Sequence, residues 1–352
     1  MKKTAITALK IAVSVGLYAY IFTKIDVAHL WSILREADIS YFAAGVGVYF
    51  FIQGISAYRW YLLLKPLGLK ASYFKLLSFY LLGMFFNNFM PTGIGGDVFR
   101  IYYLNKETRT LSRATASVFF DRNLGMAALL LMATLISTID GTTFKGVPLA
   151  PVFGLVGLVF GLANLALFYR PTYNLLHRLL MLFKMKQADE RVQHLYDSVN
   201  SYRGQWRLIV LALVLSVIVQ YGCVVVNKLS ANSMPASQVE IHSIGWLSYL
   251  VFIPAIGLIS MVPVSVNGMG WREFSYIVLF GSVGATEPQA AALAFMWLGV
   301  LVFTSIPGAI IYILRGSPEK DRIVPGGETI ESKTGVETSL SPAQGEEPVR
   351  TV

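Results

Sequence analysis

Apolar residues run almost unbroken through nine stretches of this chain, separated by short segments that collect the charges. The stretches lie at roughly 5–23, 41–63, 74–90, 114–137, 149–169, 208–227, 245–262, 274–286 and 290–313. Several reach the ~20 apolar residues that a helix needs to cross a bilayer. Runs that are apolar on every side carry no stripe for water, so the pattern predicts bilayer helices. Beyond Arg315 the pattern stops. Residues 316–352 are rich in Gly, Pro, Ser and Glu and have little to bury, so a disordered tail is expected there. The predicted organisation is a membrane domain over 1–315 followed by that tail, in an all-α polytopic membrane protein.

Composition agrees with this reading. The chain is 55% hydrophobic and 14% charged, whereas soluble domains carry about 25% charged residues. Its net charge of +9 sits in short segments beside apolar runs, which speaks for membrane topology and against a nucleic-acid groove. Cys223 is the single cysteine, and His29, His177, His194 and His242 lie in loops without a ligand spacing. No disulfide, metal site or cofactor is therefore expected. The first run starts basic, is interrupted by Lys10 and has no small-residue cleavage site, so it is expected to be a retained span. Hydrolase elbow, phosphate-binding loop and dinucleotide fingerprint are absent from the sequence.

Lys and Arg in short loops set the orientation. The segment 170–207 carries Arg170, Arg178, Lys184, Lys186, Arg191, Arg203 and Arg207, and 97–113 carries Arg100, Lys106, Arg109 and Arg113. Segments 138–148 and 228–244 carry only Lys145 and Lys228. The basic loops are expected in the cytoplasm of a bacterial-type inner membrane, with both termini on that side. A full span at 74–90 would put 97–113 on the wrong side. A dip that returns to its own face removes the conflict, and Asn87, Asn88, Pro91, Gly93, Gly95 and Gly96 supply the break. Segments 245–262 and 274–286 are expected to form a second dip from the opposite face, because the latter is short for a span. The prediction is about six full spans plus two re-entrant elements.

The two breaks overlay without a gap. PTGIGGDVFR (91–100) and PVSVNGMGWR (263–272) align Pro91 with Pro263, Gly96 with Gly268, and Arg100 with Arg272, and Gly270 adds a second glycine to the later break. Weak inverted symmetry at interrupted helices points to a transporter-like site between the halves. Each break also carries an acid and an arginine, Asp97 with Arg100 and Arg272 with Glu273. Charges at such depth are paired or face a polar cavity. Asp121 and Arg122 lie inside a later apolar run, where neighbours point about 100° apart, so Asp121 is free to meet a distant arginine while Arg122 faces a cavity. Arg59, beside Trp60 and Lys65, suits interfacial snorkelling. Asn164 and Gln220 are each expected to make an interhelical bond, and the segment from Gln187, with Val192, Leu195 and Val199 at helical spacing, an interfacial helix. Arg59, Arg100, Arg122 and Arg272 together offer planar forks suited to a phosphate or carboxylate, hence to a phospholipid headgroup.

PTGIGGDVFRIYYL, ASVFFDRNLG and PVSVNGMGWREF resemble the hallmark motifs of the flippase-like integral membrane family. This is the family of the transmembrane region of lysylphosphatidylglycerol synthases. The resemblance covers roughly 5–315. It implies a lipid-binding or lipid-translocating domain, in homo-oligomeric form, with Asp97, Arg100, Asp121, Arg122, Arg272 and Glu273 at its polar positions. A phosphatidylglycerol-like or polyprenyl-phosphate lipid is the implied partner. In the synthases a soluble aminoacyltransferase follows the membrane region. The 37 residues after Arg315 are too few for it, so lipid aminoacylation by this chain is not expected. Two readings stand beside translocation: a glycosyltransferase using a lipid-linked sugar, with Asp97, Asp121 or Glu273 as base, and a lipid-binding scaffold for a partner enzyme.

Overall fold

A computed structural model describes residues 2–89, 95–182, 192–193, 196–262 and 264–315. Pro91, Gly93, Pro263, Leu195 and the expected tail lie outside the described residues. Each of the nine apolar stretches is a helix: α1 (Lys2–Lys24), α3 (Ile39–Leu64), α4 (Tyr73–Phe89), α6 (Leu111–Asp140), α7 (Leu149–Phe168), α9 (Trp206–Asn232), α11 (Trp246–Ser260), α12 (Trp271–Gly281) and α13 (Glu287–Arg315). Shorter helices join them: α2 (Val27–Arg35), α5 (Gly95–Thr108), α8 (Arg170–Leu182) and α10 (Val239–Ser243). A two-residue β-ribbon, β1 (Thr143–Phe144) with β2 (Val147–Pro148), links α6 to α7. The chain is an all-α polytopic membrane protein.

Among the described residues five helices are long and apolar enough to cross a bilayer: α3, α6, α7, α9 and α13. A sixth span appears if α1 and α2, bent by 91°, are counted together. Local chemistry marks their ends. Asp26 accepts from the amides of Ala28 and His29 to start α2, and Asp38 accepts from Ser40 to start α3. Gly141, left-handed at φ 66°, ends α6. Helices α3 and α9 pack tightly, with Gly222 against Ile52, and α7 presents most of its surface outward.

The ends of the bundle differ in charge. Arg113 donates to the Leu67 carbonyl (3.2 Å), Tyr202 to the Leu63 carbonyl (2.7 Å), and Lys75 pairs with Glu107. These contacts gather the loop after α3, the end of α5 and the start of α9 at one end, with Lys65, Lys70, Lys75, Lys106, Arg109 and Arg113. At the other end of α3, roughly 39 Å away at 1.5 Å per residue, Asp38 N donates to the Ser233 carbonyl (2.7 Å). Gln289 there donates to Gln238 and Glu240. That end carries Asp26, Glu36, Asp38, Glu240 and Glu287 beside Lys24, Arg35 and Lys228, so acids outnumber bases there.

Two helical hairpins enter from these opposite ends. Helix α4 goes in from the basic end and α5 comes back to it, since Lys75 near the start of one meets Glu107 near the end of the other. At the tip, Asn88 donates to the Leu301 carbonyl (3.0 Å), about 21 Å along α13 from Glu287. The described end of α4 therefore lies near the middle of the bundle. The second hairpin, α11 and α12, starts and finishes at the acidic end, with the Tyr249 and Phe280 rings 5.0 Å apart. Its deep end is closed by Trp271 Nε1 donating to the Ile259 carbonyl (3.1 Å). The segment 97–113, read from sequence as a basic loop, is largely helix α5. Its Leu104, fully buried, and Ile101 pack into the core beside Leu76 and Phe79 of α4.

Candidate functional site

The tip of the first hairpin is shaped by glycine. A β-carbon on Gly96 would stand 2.0 Å from the Gly83 carbonyl oxygen, so α4 and α5 meet backbone to backbone. Asn87 reaches back and accepts from the Gly96 amide (2.8 Å), filling one of the open donors at the start of α5. This close crossing sets Asp97 and Arg100 into the bundle.

There they meet charges from two other helices. Asp121 of α6, 1% exposed, accepts from Arg59 Nε (2.8 Å) through Oδ1 and from Arg100 Nη2 (2.8 Å) through Oδ2. Arg59 also donates to Ser216 Oγ of α9 (2.7 Å). Asp97 accepts from Arg122 Nε (2.6 Å) and lies 3.5 Å from Arg100 Nη1. Arg100 is held between two rings, Trp60 at 4.2 Å and Tyr80 at 4.3 Å. Trp60 is itself fixed by donating to Ser117 Oγ (3.1 Å). The result joins α3, α5, α6 and α9 through three guanidinium groups and two carboxylates, one positive charge in excess. Arg122 is its outer member, with a side chain 41% exposed, and Arg100 Nε is a buried donor without a partner among the described residues.

The second hairpin carries a smaller version. Glu273, completely buried, accepts from Arg272 Nη2 (2.7 Å) and Nε (3.1 Å) through one oxygen, and from the Gly270 amide (2.7 Å) through the other. The chain reaches α12 through three left-handed residues, Asn267, Gly268 and Gly270. Helix α1 covers this turn. Ser14 Oγ accepts from Val266 N (2.9 Å), and Leu17 packs where a β-carbon on Gly270 would stand 2.8 Å away.

All seven charged candidates are therefore paired, in two groups. Arg59, Asp97, Arg100, Asp121 and Arg122 form one, and Arg272 with Glu273 the other, so the four arginines do not converge on one point. Arg59 does not snorkel: it is buried because Asp121 and Ser216 satisfy it. Asp121 and Arg122 diverge as the helical period requires, and Asp121 meets distant arginines. Among the break residues, Gly95 and Gly96 open α5, while Gly268 and Gly270 form the second turn. Asn164 bonds to the Phe160 carbonyl of its own helix, not to a neighbour. Ser216, Tyr80, Ser117 and Ser14 were not legible as site residues. Isolated small polar residues in apolar runs carry no spacing that marks them. Trp60, beside Arg59, gave a signal that pointed to the interface instead.

Arginine forks are suited to carboxylate and phosphate oxygens, which they hold by charge-assisted hydrogen bonds. No curated protein matches the chain. The model of one family, described as the lysylphosphatidylglycerol synthase TM region, matches residues 7–308, which include both hairpins and every charged residue of the two sites. The chain belongs to that family.

Proposed function

We propose that this protein moves an anionic phospholipid between the leaflets of the cytoplasmic membrane. The observation that carries the reading is the network around Asp121. It sits at hairpin depth inside an apolar bundle, holds one surplus positive charge, and leaves Arg122 partly exposed. A buried charge excess is costly unless a counter-charge visits it, and a lipid phosphate is a counter-charge already present in the membrane. Family membership supports a role with membrane lipids. The opposed hairpins supply one entry from each leaflet. The basic end suits the cytoplasmic leaflet by the positive-inside rule, an orientation with both termini on the cytoplasmic side, and the exposed apolar faces leave room for a second copy.

The test is headgroup-resolved lipid movement in reconstituted vesicles, with phosphatidylglycerol, its lysyl form and a polyprenyl phosphate. Loss of a charge-assisted bond worth ~1.5–3 kcal/mol predicts that Arg100→Ala and Arg272→Ala each slow movement about tenfold or more. A folded native protein that moves none of these lipids overturns the proposal. Stable binding without movement would make the chain a scaffold. Release of free polyprenyl phosphate from a lipid-linked sugar would make it a transferase.

A further inference from the structure

The three arginines of the Asp121 network are not used alike. Arg59 is fully engaged, with Nε and Nη2 on Asp121 and Nη1 on Ser216. Arg100 gives Nη2 to Asp121 and lies 3.5 Å from Asp97 through Nη1, with Trp60 and Tyr80 against its guanidinium. Both are buried. Arg122 differs. Its Nε is held by Asp97 at 2.6 Å, while its Nη1 and Nη2 meet no acceptor among the described residues. That free pair is the fork that takes phosphate oxygens two at a time. Asp97, in the first turn of α5, is thus a positioning residue. It fixes one side of the Arg122 guanidinium and leaves the other for a ligand.

The charges do not balance, and the imbalance is a single one. Among the described residues no third carboxylate pairs with these arginines, so three positive charges face two negative. Residues 90–94, which join α4 to α5 in sequence, contain no charged side chain, and Arg272 is matched by Glu273. Away from bulk water an unmatched charge of either sign is costly. One negative charge neutralises the group, and two would reverse its sign. A headgroup with its own ammonium brings no net charge and leaves the surplus in place. We infer that Arg122 takes the lipid phosphate, and that the network selects a phosphodiester of single negative charge over a doubly charged phosphomonoester or a zwitterion. This rests on the anionic-lipid reading above and narrows it to one charge class. No bond is made or broken: the phosphate oxygens accept from Arg122 Nη1 and Nη2, and Asp97 stays on Nε.

The experiment titrates the full chain in detergent with three lipids of identical acyl chains and reads the lipid-bound fraction by native mass spectrometry. At about pH 8.5 phosphatidic acid, having lost both protons, carries close to two charges. Phosphatidylglycerol carries one, and phosphatidylethanolamine no net charge. The native protein is expected to bind phosphatidylglycerol at least about tenfold more tightly than either of the others, the worth of one charge-assisted bond. Arg122→Gln leaves both Asp121 pairs intact and makes the network neutral, so the preference over phosphatidylethanolamine should vanish. Asp97→Asn raises the surplus to two and should move the optimum to phosphatidic acid, a shift that loosening of the site alone would not produce. If that variant does not fold, Arg122→Gln still decides. Inorganic phosphate in excess is expected to leave phosphatidylglycerol bound; displacement would make the ligand a free oxyanion and overturn the lipid assignment. Phosphatidic acid held as tightly as phosphatidylglycerol by the native protein, or an unchanged order in folded Arg122→Gln or Asp97→Asn, overturns the inference. Selective binding without transbilayer movement sinks the transport reading alone, and movement without charge preference sinks this inference alone.

Discussion

Asp121 holds two arginines at once, one on each carboxylate oxygen, and both arginines are as buried as it is. Replacing it by Asn would leave two cations facing each other away from water. Breaking a buried pair costs roughly 3–5 kcal/mol, so Asp121→Asn is expected to lower the unfolding midpoint in detergent sharply, as followed by thermal or denaturant titration. Arg59→Lys should not substitute for the native residue. Nε and Nη2 of Arg59 both reach Asp121 while Nη1 reaches Ser216, and an ammonium cannot span that fork. The exposed Lys75–Glu107 pair is the internal control. Lys75→Ala is expected to change stability by no more than about 1 kcal/mol. Part of this was readable in advance: a carboxylate within an apolar run needs a partner, and Asp121 has two. Which partners it takes was not readable, because they lie 62 and 21 positions away and only the packing of α3 and α5 on α6 selects them.

At the level of elements, the hairpins depend on places where a side chain would not fit. Gly96→Ala would drive a β-carbon into the Gly83 carbonyl, 2.0 Å away, and against the Asn87 side chain at 2.7 Å; the carbonyl is backbone and cannot yield without parting the helices. Overpacking costs typically ~1–3 kcal/mol. The variant is therefore expected both to lose stability and to spread α4 from α5, seen as weaker protection of the α5 amides in hydrogen exchange. An unchanged exchange pattern would show that the crossing is not held there. The break itself was legible as glycine, proline and paired asparagines after an apolar run. Helix α5 was not. Its Asp97, Arg100, Asn105 and Lys106 dilute the apolar residues, and its helical face becomes evident only when Leu104 and Ile101 are seen packed against α4.

For the molecule as a whole, the sorting of charge between the two ends gives a testable orientation. Single cysteines introduced at Lys70, Arg109 and Ser201 in the Cys223→Ser background are expected to react with an impermeant thiol reagent only from the cytoplasmic side, and one at Glu36 only from outside. Split behaviour among the first three would contradict the shared basic end. The surplus charge of the Asp121 network has a further consequence, because it lies roughly 15 Å along α6 and so within the electric field of an energised membrane. Carrying one elementary charge across the whole membrane is worth ~2.3 kcal/mol per 100 mV, and an anion that travels from the basic end to the network crosses about a third to a half of that drop. A potential negative on the basic side should therefore strengthen occupancy of the network by about 1 kcal/mol per 100 mV. Bound and empty states differ by a charge that voltage can sense. The membrane potential alone, with no nucleotide consumed, would then load the site from one leaflet in preference to the other.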